Sequence, residues 1–152
     1  MRWLVLCAVL LVACGKKAAP DPVFDPPKPF ALTGLKLAID APGNATLGRQ
    51  TDAAADLTWP SVRLTIRNNH SGLNASTLES AVAAVTAARI TKQQRTADGW
   101  ELRYDETLAG DQLFTVSIHR TIAEVSLECV GTSPSSAGAD SIGAACATLR
   151  PR

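Results

Sequence analysis

Residues 98–118, D-G-W-E-L-R-Y-D-E-T-L-A-G-D-Q-L-F-T-V-S-I, decide the fold. Trp100, Leu102 and Tyr104 alternate with Glu101, Arg103 and Asp105, and Phe114, Val116 and Ile118 resume the same period of two. Each run reads as a strand with one face turned inward. Asp98-Gly99 ahead of the first run is a two-residue hairpin signal, and Ala109-Gly110-Asp111 turns the chain between the runs. On the upstream side, residues 90–96 supply the strand that enters the first hairpin. Downstream, a bend near Ile122-Ala123 leads into Val125, Leu127 and Cys129. The stretch predicts a four-stranded antiparallel meander.

Further upstream the period is also two, at Leu35, Leu37 and Ile39 and again at Val62, Leu64 and Ile66, with a turn at Ala41-Pro42-Gly43-Asn44 and a stop at 68–72. Ser76-Thr77-Leu78-Glu79 fits a capping box, and Leu78, Ala81, Val82, Val85 and Ala88 follow at helical spacing. Behind the meander, Gly131 to Gly138 reads as a small-residue loop. A last helix is expected over 139–149, with Ile142, Ala145, Cys146 and Leu149 inward and Pro151 ending it. The prediction is an α+β domain over residues 34–152, with an antiparallel sheet or sheets packed by two helices in the order β-β(-β)-α-β-β-β-β-α.

The front of the chain has another character. Arg2, an apolar run from Trp3 to Val12 and small Ala13 have the three parts of a secretory signal, and the run is too short to span a membrane, which takes about 20 residues. Leu11-Val12-Ala13-Cys14 resembles the lipobox of bacterial lipoproteins. Cys7 is not the acceptor, because bulky Leu6 precedes it; the alternative is a plain secretory signal in which Cys14 is accidental. The resemblance implies removal of residues 1–13, diacylglycerol on the Cys14 sulfur and acylation of the new amino end. Two or three acyl chains, at about 0.8 kcal/mol per buried methylene, anchor stably. Gly15 after the cysteine points, by the family's sorting rule, to the outer membrane of a Gram-negative cell. Residues 14–33 are expected to be a tether, since Pro20, Pro22, Pro26, Pro27 and Pro29 remove backbone donors and fix φ. As polyproline II its reach would be roughly 45 Å.

The intact chain carries a net charge of +1, and its basic residues are scattered. Both facts argue against nucleic acid and against electrostatic binding to anionic lipid. With Cys14 acylated and Cys7 removed, Cys129 and Cys146 are the thiols left in an oxidising envelope. Both fall on apolar faces, one on the last strand and one on the last helix. They read as a disulfide, and closing such a loop would stabilise by about 3 kcal/mol; the alternative is two buried free thiols. No metal site is expected, because zinc wants four ligands and only His70 and His119 could help. No cofactor is expected either.

Catalytic patterns are weak. The nucleophile elbow G-x-S-x-G is absent from the sequence. His119 lies on the polar side of its strand, where Glu101, Asp105 and Glu128 could flank it as a general base, but a solvated cross-strand partner is the plainer reading. His70 sits among turn residues. Asp52 and Asp56 could pair for acid–base work or calcium, yet lack a third ligand and read as a helix start or solvated loop. Asn44-Ala45-Thr46 and Asn74-Ala75-Ser76 match a glycosylation sequon by chance. Trp59, Trp100 and Tyr104 are possible contact aromatics, or core.

The element order and the Asp98-Gly99-Trp100 hairpin resemble the PsbP-like fold of small secreted and lumenal proteins. The body is also similar to small lipoproteins of Gram-negative bacteria, which implies a fold and a location but no reaction. The expected function is therefore a non-catalytic binding or interaction module, anchored by its lipid and open to an envelope protein partner. A small-ligand or lipid carrier, or an enzyme with an unrecognised site, is the alternative.

Overall fold

In a computed structural model, residues 21–69, 76–86 and 88–152 are described. The elements run β1 (Pro27–Leu32), β2 (Leu37–Pro42), β3 (Thr46–Gln50), β4 (Ala54–Trp59), β5 (Val62–Asn68), α1 (Leu78–Ala84), β6 (Arg89–Thr96), β7 (Gly99–Leu108), β8 (Asp111–Ile122), β9 (Val125–Ser133), α2 (Ser136–Ala147) and β10 (Arg150–Pro151). The fold is α+β. A seven-stranded sheet has the order β3-β4-β5-β9-β8-β7-β6, and a three-stranded sheet has the order β1-β2-β10. The meander over β6, β7, β8 and β9 is antiparallel throughout.

α2 lies between the sheets, touching β2 on one side and β5, β8 and β9 on the other. The main core forms there, from Leu32, Ile39, Leu57, Leu64, Ile66, Val116, Ile142 and Cys146, none more than 1% exposed. The inward stripe of α2 includes the expected Ile142, Ala145 and Cys146; Leu149 is buried too, but lies past the helix, which ends at Ala147 and not at residue 149. Cys129 on β9 and Cys146 on α2 meet at disulfide distance, Cα to Cα 6.1 Å. Arg120 fixes the same, carboxyl end of the helix: its Nη1 donates to the carbonyls of Cys146, Ala147 and Leu149 at 3.0–3.2 Å, while Asp98 holds its Nε at 2.7 Å. A cation among a helix's last, unpaired carbonyls satisfies them and opposes the helix dipole.

Several expectations need correction. The tether does not extend to residue 33, because β1 begins at Pro27 and pairs with β2. The Pro26 carbonyl accepts from Gly43 N, so alternation turns Pro27 and Pro29 toward the open edge, where a missing donor costs nothing. The domain thus starts before residue 34. Five strands precede the first helix instead of two or three, and β10 follows the second. The small-residue loop at 131–138 shrinks to two residues, since Gly131 is the strand position over which Ile142 packs: a Cβ there would press its side chain. α2 accordingly starts three residues early, with Ser135 as its N-cap. The first capping box is Thr77 with Ser80, one residue later than Ser76 with Glu79, and α1 ends before Ala88. In the first meander hairpin Thr96 pairs with Gly99, so Ala97-Asp98 is the loop. Gly99 is small because a Cβ would strike the His119 carbonyl.

Asp56 is neither loop nor helix start: it lies on β4 and accepts from Thr65 Oγ1 at 2.7 Å. Among the described residues no helix is long and apolar enough to cross a membrane, and no cluster of three or more His, Cys, Asp or Glu could hold a metal ion. Cys14, His70 and Asn74 lie outside the described residues.

Candidate functional site

Strand alternation gives the large sheet two chemistries. Toward α2 it sends Leu57, Leu64, Ile66, Val116, Ile118 and Cys129. Toward α1 it sends a polar row, set by register: Arg67 opposite Glu128, Glu128 opposite His119, His119 opposite Trp100 and Trp100 opposite Arg95. The row crosses five adjacent strands, β5, β9, β8, β7 and β6.

Its centre is buried. His119 and Glu128 are each 8% exposed and Trp100 4%. Glu128 is bound by Arg67 at 2.7 Å. The His119 ring stacks on Trp100, with centroids 5.7 Å apart and planes 13° from parallel. His119 Nε2 is hydrogen-bonded to Ser126 Oγ at 2.8 Å, and the carbonyl of Ser126 accepts from Asn69 N at 2.9 Å. Burial pushes the His119 pKa below its ordinary value, against the opposing pull of Glu128 and Asp98. The imidazole is therefore neutral in the folded protein at pH 7.

Trp100 and His119 form part of the wall of an open cavity of about 310 Å³, lined also by Ser76 and Thr77 at the start of α1 and by Asp98 and Thr121. α1 packs on β7 and β6 through Ala81, Leu78, Val82 and Val85, forming a second, smaller core with Trp100 and Leu102.

The candidate residues are not all brought together. Glu101 and Asp105 alternate with Trp100 and Tyr104 and so point to the opposite face from His119. Each is bound by a cation there, Glu101 by Lys92 and Arg103 and Asp105 by Arg89, with the neutral amide of Gln112 also donating to Asp105. Of the suggested carboxylates only Glu128 stays beside His119. The exposed-face reading of His119 is corrected too, for the side chain is buried. Trp59 is core, 5% exposed with its indole N–H on Ser141 Oγ at 3.0 Å, whereas Trp100 is at the candidate site. Asn69 and Ser126 were missed. They are small polar residues at a strand's end and beginning, where turn chemistry explains them without any site.

Chemically, a neutral imidazole beside a hydroxyl could accept a proton. No carboxylate orients the other ring nitrogen, however, for His119 Nδ1 is buried with no hydrogen-bond partner among the described residues. The arrangement is incomplete for a proton relay.

No protein-family model matches the chain, and no curated protein matches it by sequence. Two solved structures share its architecture. The Ran-binding protein Mog1p of Saccharomyces cerevisiae superimposes with a TM-score of 0.61 at 6% identity, covering 84% of this chain and 96% of Mog1p. A protein of Bacteroides thetaiotaomicron superimposes with a TM-score of 0.54 at 14% identity over 82% of this chain, which spans about half of that one, 48%. At such identities the likeness is one of fold, and the chain is similar to both in its α+β architecture.

Proposed function

We propose that the protein is a lipid-anchored component of the bacterial envelope, with Cys14 acylated and the outer membrane as its site. Its PsbP-like domain serves as a non-catalytic binding module, and the Trp100–His119 cavity is its recognition site. The observation that carries the non-catalytic reading is the state of the titratable groups. Burial pushes Asp98 and Glu101 up, but the guanidinium of Arg120 and the Lys92–Arg103 pair more than offset it, and both end below their ordinary range. Asp105 is lowered mainly by its hydrogen bond to Arg89. His119 is lowered as well. Carboxylates held as anions have no proton to give near neutrality, and the His119 Nδ1 that a carboxylate would orient has no partner among the described residues, so these four groups do not assemble an acid–base pair. Mog1p, named for binding Ran, puts a fold of this kind to protein recognition.

The test is affinity capture from detergent-solubilised envelopes with the C-terminally tagged protein, using Cys14→Ser as the unacylated control. A specific co-purifying partner that survives salt supports the module. A preparation that yields no partner or ligand, while a substrate screen yields turnover, ends the proposal. One observation favours a lipid carrier as the second reading: an apolar groove of about 450 Å³ between Phe24, Pro26 and Pro27 and the Ala144–Ala145 side of α2. Mass spectrometry of the purified protein would then find a co-purifying lipid.

A further inference from the structure

Among the described residues the two sheets have four edge strands, β1, β10, β3 and β6. An open edge presents unpaired N–H and C=O groups and accepts a further strand unless something blocks it. Three of the four are blocked. β1 carries Pro27 and Pro29, β10 has two residues of which one is Pro151, and β3 breaks register between Leu47 and Gln50. β6 holds neither proline nor glycine, and from Lys92 to Thr96 it keeps an unbroken register with β7. Charge is the usual guard of such an edge. Yet Arg89 is paired with Asp105, Lys92 with Glu101 and Arg95 with Glu79, so each cation of β6 already has its counter-ion.

The hairpin fixes which backbone groups face outward. Thr96 and Gly99 flank a two-residue loop and exchange both hydrogen bonds, and the alternation of an antiparallel ladder makes Gln94 with Glu101 and Lys92 with Arg103 the next bonded pairs. Gln93 and Arg95 therefore turn their N–H and C=O to the open side. Their side chains lie opposite Leu102 and Trp100, on the face that α1 covers. Between Leu78, Val82 and Ala83 on the helix and Gln93 and Arg95 on the strand runs an open groove of about 710 Å³. Leu78 and Arg95 also line the Trp100–His119 cavity, so the groove adjoins it.

The two faces of the edge define the occupant. A strand added to β6 turns the residues opposite Gln93 and Arg95 toward α1, where Leu78 and Val82 are half-buried and Ala83 is exposed. Apolar side chains at those alternate positions complete the burial of these three. The residues between them meet Lys92 and Gln94 on the other face and are polar. With Arg95 and Glu79 neutralising each other, the groove calls for no charge. A second copy of β6 fits poorly, since it would set Gln93 and Arg95 against Leu78 and Val82.

We infer that the open edge of β6 takes an extended peptide segment of a partner protein as an added strand, with uncharged apolar residues at alternate positions seated between β6 and α1. The inference rests on the binding-module reading and names the form of its partner.

The probe is the blocked peptide Thr-Val-Thr-Val-Thr, added to the full chain in detergent, and the readout is amide hydrogen exchange. In the free protein the amides of Gln93 and Arg95 should exchange at least tenfold faster than that of Gln94, and saturating peptide should slow them at least tenfold. N-methylation of both valines, whose N–H groups would point at β6, should abolish that protection, while N-methylation of the middle threonine should not. Glutamate in place of both valines should weaken binding at least tenfold. Gln93→Pro, which removes an outward donor and no ladder bond, and Ala83→Arg, which fills the groove, should each do the same and leave exchange in β7 unchanged. Exchange of Gln93 and Arg95 that ignores the peptide, or protection that survives the N-methyl valines, overturns the inference. Protection that rises with protein concentration alone assigns the edge to a second copy and overturns it as well. A captured envelope partner whose complex leaves Gln93 and Arg95 exchanging as in the free protein removes this inference and leaves the binding module standing.

Discussion

The two faces of the seven-stranded sheet come from the same strands, yet they are built to different standards. The face toward α2 is apolar at its centre, covered by a twelve-residue helix and a second sheet, held by the Cys129–Cys146 link and closed by Arg120 on the helix carbonyls. The face toward α1 is covered by a seven-residue helix and keeps Glu128, His119 and Asn69 buried, two of them with an atom that finds no partner among the described residues. A helix of seven residues is marginal by itself and depends on its packing. One face specifies the structure, and the other gives up stability for a polar interior. Regions that open locally are drawn from such weakly covered parts of a protein.

The comparison can be broken most directly by truncating each face. Ile142→Ala should cost about 2–5 kcal/mol by creating a cavity in the main core, while Val82→Ala, half-buried on α1, should cost about 1 kcal/mol. Equal shifts of the urea midpoint would mean the faces are energetically alike. Replacing Cys129 and Cys146 together with serine should remove about 3 kcal/mol, seen as the difference between the oxidised wild type and the variant in urea. Arg120→Met should cost about 2 kcal/mol through the unpaired helix carbonyls, and hydrogen exchange should report it as faster opening of the last turn of α2. On the other face, Thr77→Ala removes the N-cap of α1 and should cost about 1 kcal/mol, with faster exchange confined to Leu78–Ala84. Spread of that effect into α2 would show the two faces to be one cooperative unit.

The smallest effect is on pH dependence. The folded pKa of His119 is depressed, so between the unfolded value near 6.5 and the lower folded one the unfolded chain binds more protons. Stability therefore falls as pH drops below about 6.5. Asp98, Glu101 and Asp105, depressed in the folded state, hold stability that is lost only at lower pH, below about 4. His119→Phe should abolish the upper phase and keep the lower one, measured as the urea midpoint from pH 8 to pH 3.

What could be read from the residues follows the same division. The meander, the inward stripe of α2 and the cysteine pair were legible because Phe114, Val116 and Ile118 toward α2 and Trp100, Leu102 and Tyr104 toward α1 each keep period two, and Ile142, Ala145 and Cys146 keep the helical period. β3 and β4 were not, since Thr46–Gln50 has little apolar content and the alanines and Asp56 of Ala54–Trp59 mute the alternation of Ala55, Leu57 and Trp59. β1 was hidden by prolines that only an edge strand tolerates. The site escaped for a different reason. Alternation places His119 on the polar phase of β8, but it does not say that the polar phase in the middle of a seven-stranded sheet, beside a tryptophan, is buried.

β1 and β10 flank the same strand, and the hairpin of β1 with β2 is open at Pro27–Pro42 and closed by its turn at Leu32–Leu37. A pull on the chain from the amino side enters at the open end and loads the hydrogen bonds one after another, beginning with Gly43 to the Pro26 carbonyl. Such a zipper yields at low force. Its six residues would pay out about 20 Å of chain before tension reached the stapled core, so a domain held from that end would have a mechanical fuse between its point of attachment and its fold.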